Sequence, residues 1–289
     1  MMIEEGIGNK SQACRALGLP RASAYWNGKI SESSRLLHIG IVDLSREHPR
    51  YGYRRITALL RREGWKVNEK RVQRIRRKLG LQVSRKQRKM RRRGTSTAER
   101  QSARYANHIW SWDFVHDQTE NGGRFRILTI IDEFTREWLA YYLDYSIRAE
   151  DVITILTKTM EKYGVPEHIR SDNGPEFIAY AVQDWLGQKA IKTLYIKLGS
   201  PWENGHIESF HGKIGDECLK REIFGNRLEA KVVIGDYRCQ YNHQRPHSSL
   251  GYKTPVEFAA DVETPLRPTA FAPSQRINKK DKQTAELYF

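Results

Sequence analysis

Cysteine is nearly absent: only Cys14, Cys218 and Cys239 occur in 289 residues. Thiols so few and so scattered exclude a disulfide framework and a thiolate zinc site. Long apolar runs are missing too, and the mean hydropathy is −0.70. Nothing approaches the ~20 apolar residues of a membrane span, and no signal-peptide pattern opens the chain. The expectation is a cytoplasmic protein with no membrane association. The third scarcity is acid in the amino-terminal third. Residues 1–105 hold 8 Asp/Glu against 27 Lys/Arg, a net +19, whereas residues 106–289 hold 26 against 23, a net −3. The whole excess of +16 therefore sits at one end. Clustered there on helical patterns, it suits a nucleic-acid-binding arm better than a device for solubility.

That arm reads as helices. Asn9 or Ser11 can cap a helix through Leu17, Gly18-Leu19-Pro20 breaks it, and a second helix begins at Ser23–Trp26. Residues 1–30 thus form a short helix-turn-helix pattern, which an ordinary helical hairpin would share. A second unit spans residues 31–82. Its first helix, capped near Ser33 or Ser34, carries Leu36, Leu37, Ile39, Ile41, Val42 and Leu44 and ends near His48-Pro49. Tyr51-Gly52-Tyr53-Arg54-Arg55 leads into the next, which Gly64 stops. Asn68 caps a third, with Val72, Ile75 and Leu79 as its apolar stripe. Lys70, Arg71, Arg74, Arg76, Arg77 and Lys78 fill its other face, and with Arg54 and Arg55 they are candidates for phosphate contact. The segment 83–105 has no apolar stripe. It holds Arg85, Lys86, Arg88, Lys89, Arg91, Arg92 and Arg93, further candidate DNA contacts on a linker that orders along a groove.

From Ile109 the pattern changes to strands: 109–116, 124–132 and 137–144, with Asn121-Gly122-Gly123 as the sharpest turn. A helix at 149–163, a strand at 168–171, a helix at 176–189, a strand at 191–196 and a helix from Pro201 follow. A further helix is expected at 227–244, and residues 263–289 read as a flexible tail.

Three acids stand out in this order. Asp113 lies inside the aromatic strand Trp110-Ser111-Trp112-Asp113-Phe114, and Asp172 ends a strand in Ser171-Asp172-Asn173-Gly174-Pro175-Glu176-Phe177. Glu208 lies on a helix in Glu203-Asn204-Gly205-His206-Ile207-Glu208-Ser209-Phe210, separated from Asp172 by 35 residues. Carboxylates from two strands and one helix are what a site needs to hold two divalent cations for phosphoryl transfer, and hard Mg²⁺ or Mn²⁺ suits them. Nearby acids have other uses. Ser200-Pro201-Trp202-Glu203 is a capping box, Asp132 makes a turn, and Glu217 should face away from Glu208. Asp117 is the second choice for the first acid. Asn204 and His211 share the helix face of Glu208 and are auxiliary candidates, as is Arg245 in Gln244-Arg245-Pro246-His247. Trp110 and Trp112 read as core.

These blocks, with the terminal Tyr241-Asn242-His243-Gln244-Arg245-Pro246-His247-Ser248-Ser249-Leu250-Gly251-Tyr252 and Thr254-Pro255, resemble the OrfB subunit of the insertion-sequence three family, DDE transposases with a retroviral-integrase-like core. The likeness runs from about Lys10 to about Asp261. It implies an RNase H-like α/β core over 106–262, a mixed sheet flanked by helices, preceded by small all-α helix-turn-helix DNA-binding units. It implies Asp113, Asp172 and Glu208 as catalytic metal ligands for two Mg²⁺ or Mn²⁺ ions. The implied reaction is metal-dependent cleavage and 3′-hydroxyl strand transfer at the terminal inverted repeats of an insertion sequence. The implied partners are double-stranded DNA, a second copy of the chain or a larger assembly, and OrfA as a fusion. Two other readings share the same features: a catalytically silent DNA-binding regulator, and a structure-specific nuclease that cuts without joining.

Overall fold

The computed structural model describes residues 10–20, 31–84, 101–171, 180–195 and 204–262. The chain divides into two compact units, Met1–Gln82 and Val83–Phe289.

In the first unit, α1 (Lys10–Ala16) is followed by a three-helix bundle of α2 (Glu32–Glu47), α3 (Tyr53–Arg62) and α4 (Glu69–Lys78). Ser31 caps α2 by accepting from the Ser34 amide, so the cap lies two or three residues earlier than the serine run suggests. Asn68 caps α4 as expected, its side-chain oxygen accepting from Lys70 N at 2.8 Å. Leu37, Ile41, Ile56, Leu60, Val72 and Ile75 close the core. Leu36, Ile39 and Leu79 are exposed instead, because one helix face suffices for so small a bundle. Arg76 departs from the expected basic face. It is buried and donates from Nη1 to Tyr51 O at 2.8 Å, and burial lowers its pKa.

The second unit is built on a five-stranded mixed sheet ordered β3-β2-β1-β4-β5. Its strands are β1 (Ile109–Gln118), β2 (Arg124–Asp132), β3 (Trp138–Asp144), β4 (His168–Ser171) and β5 (Lys192–Tyr195). The first three form an antiparallel meander, and β4 and β5 add in parallel on the other side of β1. This is the mixed sheet flanked by helices that the family resemblance implies, built in the element order read from the sequence.

Alternation along β1 and β2 divides the core in two. Trp110, Trp112, Leu128 and Ile130 pack with residues of α5 (Ala149–Tyr163) and α6 (Tyr180–Gln188). Phe125, Ile127 and Ile131 pack on the opposite face against α7 (Gly205–Ile214) and α8 (Arg227–His243). A π-helical segment, Gly215–Leu219, extends α7, and α9 (Pro255–Asp261) closes the unit through a capping box between Thr254 and Glu257. Close packing of α8 on β3 needs Gly235, since a Cβ there would stand 2.7 Å from Tyr141 Oη. That hydroxyl donates to Lys231 O at 2.9 Å.

Several residues of the carboxyl-terminal signature build this layer. Asn242 brackets the edge of β3, accepting from Trp138 N at 2.9 Å and donating to Trp138 O at 3.0 Å. Among the described residues, no helix is long and apolar enough to cross a membrane.

Candidate active site

The placement of Asp113 follows from its neighbours. Trp110 and Trp112 are both fully buried on the α5–α6 face, so Ser111 and Asp113 must turn to the α7 face. Across the hairpin Asp113 pairs with Thr129, which points to the same side. Ser111 pairs with Arg170 of β4 across the parallel ladder. Ile169 belongs to the α5–α6 core, which turns Arg170 to the α7 face as well. Asp172 lies outside the described residues, one position beyond Ser171 at the end of β4.

On the other side, α7 brings two residues of one face to the strand. His211 Nδ1 stands 3.5 Å from Asp113 Oδ2, and Glu208, one turn earlier, is exposed on that face. Thr129 joins the two elements. Its hydroxyl donates to Asp113 O at 3.0 Å and lies 2.8 Å from His211 Nε2. A hydroxyl has one proton to give, so His211 Nε2 donates to Thr129 and Nδ1 carries the lone pair; this tautomer is assigned from the hydrogen-bond network. Burial lowers the His211 pKa to about 4, so the ring is neutral near pH 7. A neutral nitrogen acceptor thus faces a carboxylate oxygen, an arrangement complementary to a cation between or beside them. Asp113 Oδ1 accepts from Phe114 N at 2.7 Å, which holds the carboxylate in place.

The other candidates fall at different distances from this centre. Asn204 is buried at the start of α7. Arg245 is buried beneath the surface and gripped by Glu217, with both bonds at 2.6 Å. Its guanidinium is thereby committed to joining the π segment to the end of α8. Asp117 lies four residues along β1, half-exposed near the hairpin turn, and its carboxylate accepts from Gln118 N at 2.9 Å. Asp132 makes the expected turn: Oδ1 accepts from Phe134 N and Thr135 N, and Oδ2 from Asn107 N. The capping box at Ser200–Glu203 lies outside the described residues. A cavity of about 330 Å³ beside α7 is lined by Arg136, His206, Ser209, Lys213 and His247 among others, and by neither Asp113 nor Glu208.

In the amino-terminal unit, Arg54, Lys70, Arg71, Arg74, Arg77 and Lys78 are exposed and Arg55 is half-exposed. Arg54 Nε stands 3.8 Å from Glu69, Arg55 lies over the Tyr51 ring, and Arg71 donates to Ser34 Oγ at 2.8 Å. Arg85, Lys86, Arg88, Lys89, Arg91, Arg92 and Arg93 lie outside the described residues. Thr129 is a site residue that sequence reasoning passes over, since it stands in no local motif.

Two models described as an integrase core domain match residues 103–201 and 189–255, and one described as an HTH-like domain matches residues 32–89. The insertion element IS407 uncharacterized 31.7 kDa protein of Burkholderia multivorans is 38% identical over 92% of this chain and 94% of its own length. The chain belongs to the OrfB transposases of the insertion-sequence three family. The transposase is also 28% identical to the transposase for insertion sequence element IS904 of Lactococcus lactis, over 72% of this chain and 87% of that one. The HTLV-2 integrase catalytic core domain, solved in complex with magnesium, aligns at 19% identity and a TM-score of 0.43, covering 54% of this chain and 97% of its own. The transposase is an integrase-core polynucleotidyl transferase.

Proposed function

We propose that Asp113, Asp172 and Glu208 are the catalytic metal ligands of the transposase, and that its reaction is cleavage at the terminal inverted repeats followed by joining of the freed 3′-hydroxyl to new DNA. The observation that carries this reading is the contact of His211 with Asp113, which turns the Glu208 face of α7 toward β1. The register Ser111↔Arg170 supports the third member, because Asp113 and Asp172 each follow that pair by two positions in the sequence. The donor set is hard oxygen, suited to Mg²⁺ or Mn²⁺. Bound there, two such ions would activate the attacking water or 3′-hydroxyl and neutralise the departing 3′ oxygen. The chain itself supplies the placement. Thr129 and His211 fix Asp113 against α7.

The exposed cations of α3 and α4, with those of 85–93, supply phosphate contacts on double-stranded DNA, the terminal repeats and the target alike. Handling two DNA ends calls for a homodimer or larger assembly. Fusion to OrfA supplies site-specific binding beyond that of residues 1–105. The test is Mn²⁺-dependent cleavage and strand transfer on a labelled terminal-repeat duplex. Asp113→Asn, Asp172→Asn and Glu208→Gln should each lose both reactions by at least about 10²–10³-fold while binding DNA as wild type does. Cleavage without any strand transfer would favour the nuclease reading. Binding without cleavage by the wild type, even when fused to OrfA, would favour the regulator.

A further inference from the structure

Glu133 is fully buried just past the end of β2, yet no step of the reaction calls on it. Its Oε1 accepts from Ser111 Oγ and lies 3.3 Å from Arg170 Nε. Its Oε2 stands 4.0 Å from His206 Nε2, and its own amide donates to Ile109 O at 3.0 Å. Among the described residues, these side chains around the carboxylate come from β1, β4 and α7. Each sits two residues before one of the three acids: Ser111 before Asp113, Arg170 before Asp172, His206 before Glu208.

The geometry points to Glu133 as a positioning residue, a single buried carboxylate that sets the mutual spacing of the three acid-bearing elements; this rests on the reading of those acids as metal ligands. Two residues along a strand is one pleat repeat, about 6.6 Å, and returns the side chain to the same face. Holding Ser111 therefore fixes the height and tilt at which β1 delivers Asp113, and holding Arg170 fixes the end of β4 that leads into Asp172. Two residues along a helix is a rotation of about 200°. The approach of His206 to Glu133 therefore bears on the rotation of α7, and with it on the direction of Glu208. Arg136 donates to His206 Nδ1, which places the ring proton on Nε2, the atom that faces Glu133, and Arg170 Nη2 donates to Gln101 O at 2.6 Å. Residues behind metal ligands that fix their orientation typically govern affinity by about 10–100-fold.

The experiment measures Mn²⁺ binding by electron paramagnetic resonance on the full chain with a terminal-repeat duplex. Thermal melting and DNA affinity are followed in parallel. Glu133→Gln alone removes one charge of the buried pair with Arg170, so the informative variant is Glu133→Gln combined with Arg170→Met, which removes both charges together. It should melt within a few degrees of wild type and bind DNA equally well, with Mn²⁺ affinity lowered about 10–100-fold. A double variant that folds and binds Mn²⁺ as wild type does would overturn the assignment, since a purely structural ion pair predicts that result. If the double variant fails to fold, Ser111→Ala decides. It removes one spoke without exposing a charge, and several-fold weaker Mn²⁺ binding is expected, with unchanged binding overturning the proposal. Asp113→Asn is the reference. Wild-type Mn²⁺ affinity in that variant would bring down the metal triad, and the hub with it.

Discussion

The two faces of the central sheet are made by the same strands and do opposite work. On the α5–α6 face, Trp110, Trp112, Leu128, Ile130 and Ile169 form a continuous apolar layer. One residue out of step on the α7 face lie Ser111, Asp113, Thr129 and Arg170, a polar strip bordered by Phe125, Ile127 and Ile131. The period of two makes the one face the anchor of the other. Two buried indoles leave the residues beside them no choice of direction, so the aromatic layer aims the acid. The largest effect tests this division at adjacent positions. Trp112→Ala should cost about 3–5 kcal/mol of stability in urea denaturation. Asp113→Asn, one residue away, should leave stability within about 1 kcal/mol of wild type, as exchanges that leave no cavity usually do, while abolishing cleavage. Comparable destabilisation by both would mean that the two faces are not separable in this way.

The α7 layer holds polar residues of two kinds, and Arg245 marks the boundary. Its bidentate pair with Glu217 is buried on both sides. Removing one partner strands the other charge, so Arg245→Met should cost about 3–5 kcal/mol, and adding Glu217→Leu should recover most of that. DNA affinity should be unchanged in the double variant; a loss there would return Arg245 to the nucleic-acid contacts. Thr129 belongs to the chemical kind. Thr129→Val keeps the shape but removes the bridge between Asp113 O and His211. A cost of about 1–2 kcal/mol is expected, with a larger fractional loss of strand transfer than of DNA binding. Equal loss of both would assign Thr129 to packing alone.

How far these roles were legible depends on how locally they are written. Strand β2 and helix α5 carry their periodicity within themselves, and the expected bounds 124–132 and 149–163 are those observed. Strand β3 begins at Trp138 rather than 137, where a bulge opposite Ile130 and Ile131 shifts the register. The three proposed acids were easy to single out because turn residues and a strand pattern frame them. Glu133 and Thr129 were not. Their partners lie 22 and 37 residues away in one case, 82 in the other, and neither side chain breaks the apolar rhythm that marks a strand. Arg245 read as an auxiliary candidate for the same reason, since Glu217 is 28 residues upstream on a π-helical segment that no helical period predicts.

The amino-terminal unit repeats the lesson in a helix, with a smaller effect. Arg76 and Arg77 are adjacent on α4 and chemically identical, but a turn of about 100° separates them. Arg76 is buried against the Tyr51 carbonyl, whereas Arg77 is exposed with Lys70, Arg71, Arg74 and Lys78. Arg77→Gln should leave melting unchanged and weaken binding to all duplexes alike. It should reduce the slope of log affinity against log salt by about 0.9, the share of one neutralised phosphate. Arg76→Gln should lower the melting temperature, because the Tyr51 carbonyl loses its buried donor, and leave the salt slope at its wild-type value. The slope is the discriminating quantity, since a partly unfolded domain also binds less DNA but does not release fewer counterions per complex. A reduced slope in Arg76→Gln would mean that this buried arginine turns outward to meet the backbone of DNA.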